Sequence, residues 1–282
     1  MMSSALSTIV LAIASTQPSV PTWDGSLPNR DDAAAVVAFV VGGPRDDQWV
    51  AGLQEATEWV RANPARYAPA VRDLLMQLPP GLDEYRVDDT HWSVGGVSDS
   101  WPYPTYMSIM PVVELLGREH AEPILREFAG AVLPLALEAK RRYADVEARW
   151  RPAWVAAGKP VGDARFEHAE LVPLLREKEE TGAAVRWLTS AWVRSVSTAR
   201  RLGSPIFVDD SLTMLSDPDP IVRAWGAWMA GYVLQFAEER PDAVAALRAA
   251  AERLEASDVD SDQKAAAAIR DAFDPKPTPG LP

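Results

Sequence analysis

The chain has no cysteine among its 282 residues, and this absence removes several classes of chemistry at once. Disulfide bonds, thiolate metal sites and a thiol nucleophile are excluded, because each needs a cysteine sulfur. Histidine is scarce as well, since only His91, His120 and His168 occur. No apolar run approaches the roughly 18 residues that a membrane-spanning helix requires. No Lys or Arg precedes Arg30, although a secretory signal normally begins with basic residues.

The apolar run Ile9–Ala14 near the N-terminus has two interpretations. Because basic residues are missing before it, we expect a buried first helix or strand of a cytoplasmic protein. The alternative is the apolar part of a secretory signal.

Positive charge is in deficit, with 28 Lys and Arg against 40 Asp and Glu, a formal net charge of −12. An acidic chain repels both a phosphate backbone and an anionic membrane surface. Nucleic acid and membranes are therefore not expected partners. The sequence also contains no motif that calls for a cofactor.

Two Asp-Pro pairs mark the start of a helix in the stretch LSDPDPIVRAWGAWMAG, Leu215–Gly231. Asp is a favoured N-cap residue, and Pro is favoured at the first helical position. Apolar residues then recur at helical spacing and predict a wide buried stripe. The stripe comprises Ile221, Val222, Trp225, Trp228, Met229, Tyr232, Val233 and Phe236.

This stretch resembles the second helix of a HEAT repeat, whose pattern is Asp-Pro, a short gap, Val-Arg, two small residues and a later Gly. The matching residues are Asp217, Pro218, Val222, Arg223, Gly226, Ala227 and Gly231. The resemblance implies that Arg223 reaches acidic groups of a neighbouring unit and that Gly226 lies in a tight helix seam. Gly226→Leu should then be harmful, and Gly226→Ala nearly neutral. The two tryptophans depart from the pattern, which usually has smaller apolar residues there.

Other segments also show helical periodicity. The predicted helices are Asp47–Ala62, 65–78, 111–116, 122–149, 166–180, 183–202, 241–256 and 261–273. The string EHAE occurs twice at an offset of 48 residues, close to the roughly 40–47 residues of a HEAT or armadillo unit. We therefore predict one all-α domain over residues 1–282, an irregular α-solenoid of about ten helices in stacked pairs. The segment Asp31–Val41 is ambiguous. A strand there would indicate an α/β fold, but Asn29 and Asp31 at its start and Gly42 after it favour a capped helix.

Residues 88–106 lack helical periodicity and form a predicted loop, a possible sub-boundary of the domain. Long loops often carry binding residues, and aromatic side chains are common at binding hot spots. Candidate partner-binding residues are Trp92, Trp101, Tyr103 and Tyr106 on this loop, and Arg194, Arg200 and Arg201 in a local basic cluster. The alternatives are a loop that plugs the core and arginines that pair with neighbouring carboxylates. Residues 274–282 are a predicted disordered tail.

Metal and catalytic motifs are not recognisable. A di-iron helix needs Glu and His three residues apart, whereas His120 and His168 lie one or two residues from their nearest glutamates. Acidic pairs such as Asp209-Asp210 lack the third carboxylate of a magnesium site, so helix N-termini are the simpler interpretation. No metal ligands or catalytic residues are assigned.

These patterns favour a non-catalytic protein-binding or scaffold protein, because stacked helical pairs expose long surfaces to partners. One concrete version is an acidic, immunity-type inhibitor that covers a basic toxin, since complementary charge speeds association. Two alternatives stay open. The first is an all-α enzyme with an acidic active site. The second is a HEAT-like DNA-repair protein, which the net charge disfavours because such proteins need a basic concave face.

Overall fold

All regular structure in the described part of the chain is helical. The computed structural model describes residues 27–42, 47–76, 103–161, 165 and 167–274. These ranges contain eleven α-helices and no strand, which confirms the all-α prediction. None of these helices is both long and apolar enough to cross a membrane. The run Ile9–Ala14 and residues 275–282 of the predicted tail lie outside the described residues.

Four helices form the N-terminal part. They are α1 (Ala33–Gly42), α2 (Asp47–Ala62), α3 (Pro64–Met76) and α4 (Tyr103–Leu115). The ambiguous segment Asp31–Val41 is helical from Ala33, which confirms the favoured interpretation. The side chain that caps α1 is Asp32, whose Oδ1 accepts a hydrogen bond from Ala35 N (3.0 Å). The predicted loop 88–106 is too long at its C-terminal end, since α4 already begins at Tyr103; residues 88–102 lie outside the described ranges.

Two long helices, α5 (Gly117–Ala156) and α6 (Leu171–Arg201), pack along each other. Gly117 has φ of +69°, a conformation that favours glycine, and it separates α4 from the rest of α5. The predicted break between residues 180 and 183 is wrong, because α6 continues through it. A Cβ at Gly182 would lie 3.4 Å from the Tyr143 ring on α5, and this close packing of α5 supports α6 where glycine weakens it.

Five shorter helices complete the described chain. They are α7 (Val208–Met214), α8 (Pro220–Trp228), α9 (Ala230–Gln235), α10 (Pro241–Glu255) and α11 (Asp260–Phe273). Asp219 is the N-cap of α8 and its side chain accepts from Ile221 N (2.8 Å), with Pro220 at the first helical position. The Asp-Pro motif therefore starts a helix as predicted.

Buried side chains from all eleven helices form one hydrophobic cluster. A second, small cluster of Trp150, Leu171 and Leu175 lies apart from it at the far end of the α5–α6 pair. We call this end the hairpin tip: α5 from Tyr143 onward, the loop to Val161, and α6 up to Gly182. The solenoid arrangement stays a prediction.

Arg223 and Gly226 of the HEAT-like stretch make the close contacts that we expect, but the expected effect of Gly226→Ala changes. Arg223 donates from Nε and Nη2 to the two carboxylate oxygens of Asp262 on α11 (2.8 and 2.9 Å). A Cβ on Gly226 would lie 2.8 Å from Leu215 N and 2.9 Å from Ser211 O. These are backbone atoms that cannot easily move aside. The geometry favours a different outcome from the near-neutral one expected for Gly226→Ala, because even one methyl group would overpack the seam with α7.

Candidate functional site

Three tryptophans meet where α6 and α8 pack together. The ring centroids of Trp192 and Trp225 lie 4.6 Å apart in a stacked arrangement, and Trp228 lies 5.6 Å from Trp192. Trp192 and Trp225 are almost fully buried, whereas 50 % of Trp228 is exposed. The prediction that Trp228 belongs to the buried stripe is therefore wrong. It lies at the edge of the stripe in the last turn of α8, where its large ring reaches solvent.

A lysine completes the cluster. Lys140 Nζ on α5 lies 4.3 Å from the Trp225 ring centroid, which is cation–π geometry. Burial lowers the pKa of Lys140. The Trp225 ring thus already contacts the ammonium group of Lys140, whereas the neighbouring Trp228 has exposed ring surface. We call the exposed part of Trp228, together with the Trp192 ring beneath it, the Trp228 face.

The predicted basic cluster on α6 is largely engaged within the protein. Arg201 Nε donates to Glu114 Oε1 on α4 (2.7 Å), and Arg200 Nε donates to Gln235 Oε1 on α9 (2.9 Å). Arg194 is exposed. The alternative interpretation, pairing with a neighbouring carboxylate, therefore describes Arg201 better than a free anion site does.

The aromatic candidates of the predicted loop are not brought together with the arginines by any described contact. Trp92 and Trp101 lie outside the described residues. Tyr103 and Tyr106 belong to the first turns of α4, whose backbone is described there. Helix α4 does pack against α6, so the arginine-bearing helix and the tyrosine-bearing helix are neighbours.

A pocket of about 690 Å³ opens at the hairpin tip. Its apolar walls include the indoles of Trp150 and Trp154 and the side chain of Leu175. Trp154 Nε1 donates to Pro160 O (2.9 Å), which fixes this indole to the loop. Lys178 Nζ lies 5.2 Å from the Trp150 ring centroid and 2.6 Å from Glu147 Oε2. The nearby Lys178 ammonium lowers the pKa of Glu147, so the pair is ionic.

A buried polar network joins α5 to α9 through the loop after α6. Glu122 Oε1 accepts from Ser204 Oγ (2.6 Å) and from Arg118 Nε (2.7 Å). Burial opposes ionisation of Glu122, but these two hydrogen bonds outweigh it and lower its pKa. Tyr232 donates its hydroxyl to Ser204 O, and burial raises the pKa of Tyr232 to about 12. Ser204 is fully buried, so this network fastens the helices together.

The acidic and histidine side chains of the described ranges do not converge on a metal site. Within these ranges, no group of three or more His, Asp or Glu side chains could hold a metal ion. His168 instead lies 3.5 Å from Glu170, its neighbour along the chain. Asp209 and Asp210 lie in the first turn of α7, which fits the interpretation of this acidic pair as part of a helix N-terminus. Asp209 also forms an ion pair with Arg240 (2.8 Å).

Sequence reasoning missed Lys140, the exposure of Trp228 and the hairpin pocket. Lys140 follows an alanine-rich stretch of α5 and carries no motif. The two indoles of the pocket, Trp150 and Trp154, are four residues apart on one helix face, a spacing that is visible in the sequence. The sequence does not show that the α5–α6 pair extends beyond the main hydrophobic cluster, so that this helix face lies outside it.

Comparison of the chain with protein-family models, with curated proteins and with solved structures gives no significant match. The HEAT resemblance therefore rests on the residues of Leu215–Gly231 alone.

Proposed function

We propose that the protein is a non-catalytic protein-binding protein and that the Trp228 face is part of its contact surface. The observation that carries this proposal is the half-exposed indole of Trp228, packed on the buried ring of Trp192. Tryptophan is enriched among the residues that dominate binding energy. An indole already held in place by its neighbours loses little side-chain entropy when a partner covers it.

Charge indicates the chemistry of the partner. The chain has a formal net charge of −12, which speeds association with a basic protein. The exposed indole offers a ring face to a Lys or Arg of such a partner, in the way that the Trp225 ring receives Lys140. A basic protein is therefore the partner that we propose. An inhibitor that covers a basic toxin is one form of this function.

Capture of partners from the lysate of the source cells tests the proposal, provided that variants are compared. Three baits are used: the wild type, Trp228→Ala, and Val259→Ala. Val259 is a matched control, because it is an exposed apolar residue (45 %) just before α11. We expect a basic protein that the wild type and Val259→Ala retain equally and that salt releases.

Trp228→Ala should retain much less of this protein, since a hot-spot residue contributes about 2 kcal/mol or more, which is roughly thirtyfold in affinity. Equal retention by all three baits would refute the role of the Trp228 face. Thermal melts of the three baits accompany the capture, so that loss of folding is not mistaken for loss of binding.

A further inference from the structure

The hairpin tip carries a second site, separate from the Trp228 face, whose chemistry points to a small ligand. We propose that the pocket of about 690 Å³ binds a small aromatic anion, with its flat body against the two indoles and its acidic group at Lys159. The volume is within the range of about 300–1,000 Å³ that is typical of small-molecule sites. The proposal is independent of the proposed protein partner.

The apolar part of the site is built before any ligand arrives. Trp150 is 6 % exposed and belongs to the small separate cluster with Leu175. Trp154 is fixed by its hydrogen bond to Pro160 O. Trp154 is only partly buried and offers ring surface for stacking, whereas Trp150, with Lys178 Nζ 5.2 Å from its ring centroid, contributes a small part of the wall. Aromatic pairs favour offset or edge contacts. A flat ring system is therefore the ligand body that fits these walls.

The charged residues at the pocket favour an anion although the chain as a whole is acidic. Among the described residues, its charged lining comprises Arg151, Lys159, Arg165, Lys178, Glu147 and Glu179. Within this described set, four cations face two anions. Glu147 is neutralised by two of the cations, Lys178 at 2.6 Å and Arg151 at 3.3 Å, and so contributes little repulsion. The remaining field at the rim is positive and attracts a carboxylate or sulfonate.

The backbone of Lys159 is fixed at this rim by the way α5 ends. Gly158 has φ of +84°, Gly158 N donates to Val155 O (3.1 Å), and Lys159 N donates to Trp154 O (2.9 Å). This is the Schellman pattern of a helix C-terminus. Lys159 itself has φ of +58°, which is uncommon for a residue other than glycine. Within the described residues no carboxylate pairs with the exposed Lys159 side chain.

Calorimetric titration with three naphthalene probes of one shape tests the proposal. The probes are 1-naphthoate, neutral 1-naphthylmethanol and cationic 1-naphthylmethylammonium. We expect 1-naphthoate to bind with a dissociation constant of about 1 mM, the affinity typical of a ligand with so few atoms. The neutral probe should bind several-fold more weakly and the cation more weakly still.

Two variants, each with one lysine replaced by glutamine, are then compared. Lys159→Gln should weaken 1-naphthoate about fivefold and leave the neutral probe unchanged, because one partly exposed charge pair is lost. Lys264→Gln, an exposed lysine on α11 that does not line the pocket, should change neither. The proposal is overturned if 1-naphthoate does not bind, if the cation binds as tightly, or if both lysine variants behave alike.

Discussion

The C-terminal helices α7–α11 and the hairpin tip use the same chemical pair, arginine with a carboxylate, in opposite ways. In the C-terminal helices the Arg223–Asp262 pair has side chains that are only 15 % and 7 % exposed. At the hairpin tip the Arg149–Glu177 pair has side chains that are 52 % and 44 % exposed. The first pair is enclosed by protein and the second remains in water.

The surroundings of the two pairs differ accordingly. Arg223 also donates from Nη1 to Asp217 O (2.8 Å) and Pro218 O (2.7 Å), while Ser257 Oγ donates to Asp262 Oδ2 (2.7 Å). The buried charges are therefore satisfied by neighbouring polar groups, as burial demands. The pair joins the Asp-Pro turn before α8 to the start of α11. Both pairs link helices that pack against each other, so it is the burial of the Arg223–Asp262 pair that distinguishes it.

Removal of the buried arginine should have the largest effect. Arg223→Ala leaves Asp262 buried without its partner, and breaking such a pair typically costs about 3–5 kcal/mol. Arg149→Ala is the control, because an exposed, solvent-screened ion pair contributes little to stability. Chemical denaturation of both variants measures the difference. Equal losses of unfolding free energy would mean that burial does not distinguish the two pairs.

The two motif glycines of the C-terminal helices should respond to alanine with opposite signs. Gly226→Ala gains helix propensity of about 1 kcal/mol but overpacks the backbone of α7, a cost of about 1–3 kcal/mol, so we expect a net loss. A Cβ on Gly231 would have no neighbouring atom within 4 Å, so Gly231→Ala should raise the unfolding free energy by up to about 1 kcal/mol. Thermal melts of the two variants give the sign directly. A gain at both positions would show that the seam at Gly226 is open.

A smaller, pH-dependent effect is expected at the N-cap of α8. Burial opposes ionisation of Asp219, but hydrogen bonds from Arg141 (2.7 and 2.9 Å) and from the backbone lower its pKa. A folded pKa below the ordinary value of 3.8 stabilises the protein at pH above about 4. This stabilisation is lost as the pH falls through the folded pKa.

Asp219→Asn keeps a good N-cap and removes only the charge. We expect the variant to be about 0.5–1 kcal/mol less stable than the wild type at pH 7. The difference should shrink below pH 4 in denaturation measurements. A difference that is the same at pH 7 and at pH 2 would exclude the charge as its source.

The comparison also shows how far the sequence alone could be interpreted. Local signals located the start of α8, because the Asp219-Pro220 cap depends only on adjacent residues. They did not predict α7 or the break between α8 and α9, and the partner of Arg223, Asp262, lies 39 residues away in the sequence. The merging of two predicted helices into α6 could not be anticipated, since the packing of Tyr143 of α5 beside Gly182 is a tertiary contact. The exposure of Trp228 and the proximity of Lys140 likewise depend on how α5, α6 and α8 meet. These positions are set by tertiary packing, which leaves no pattern in the local sequence.

The central functional claim is that the buried Trp192 and Trp225 serve the fold while Trp228 serves binding. It is tested most directly by titrating the captured basic protein into the wild type and into Trp228→Ala by calorimetry. We predict that the melting temperature changes little and that the dissociation constant rises about thirtyfold or more, as for a hot-spot tryptophan. An unchanged dissociation constant in a folded Trp228→Ala variant would contradict the claim.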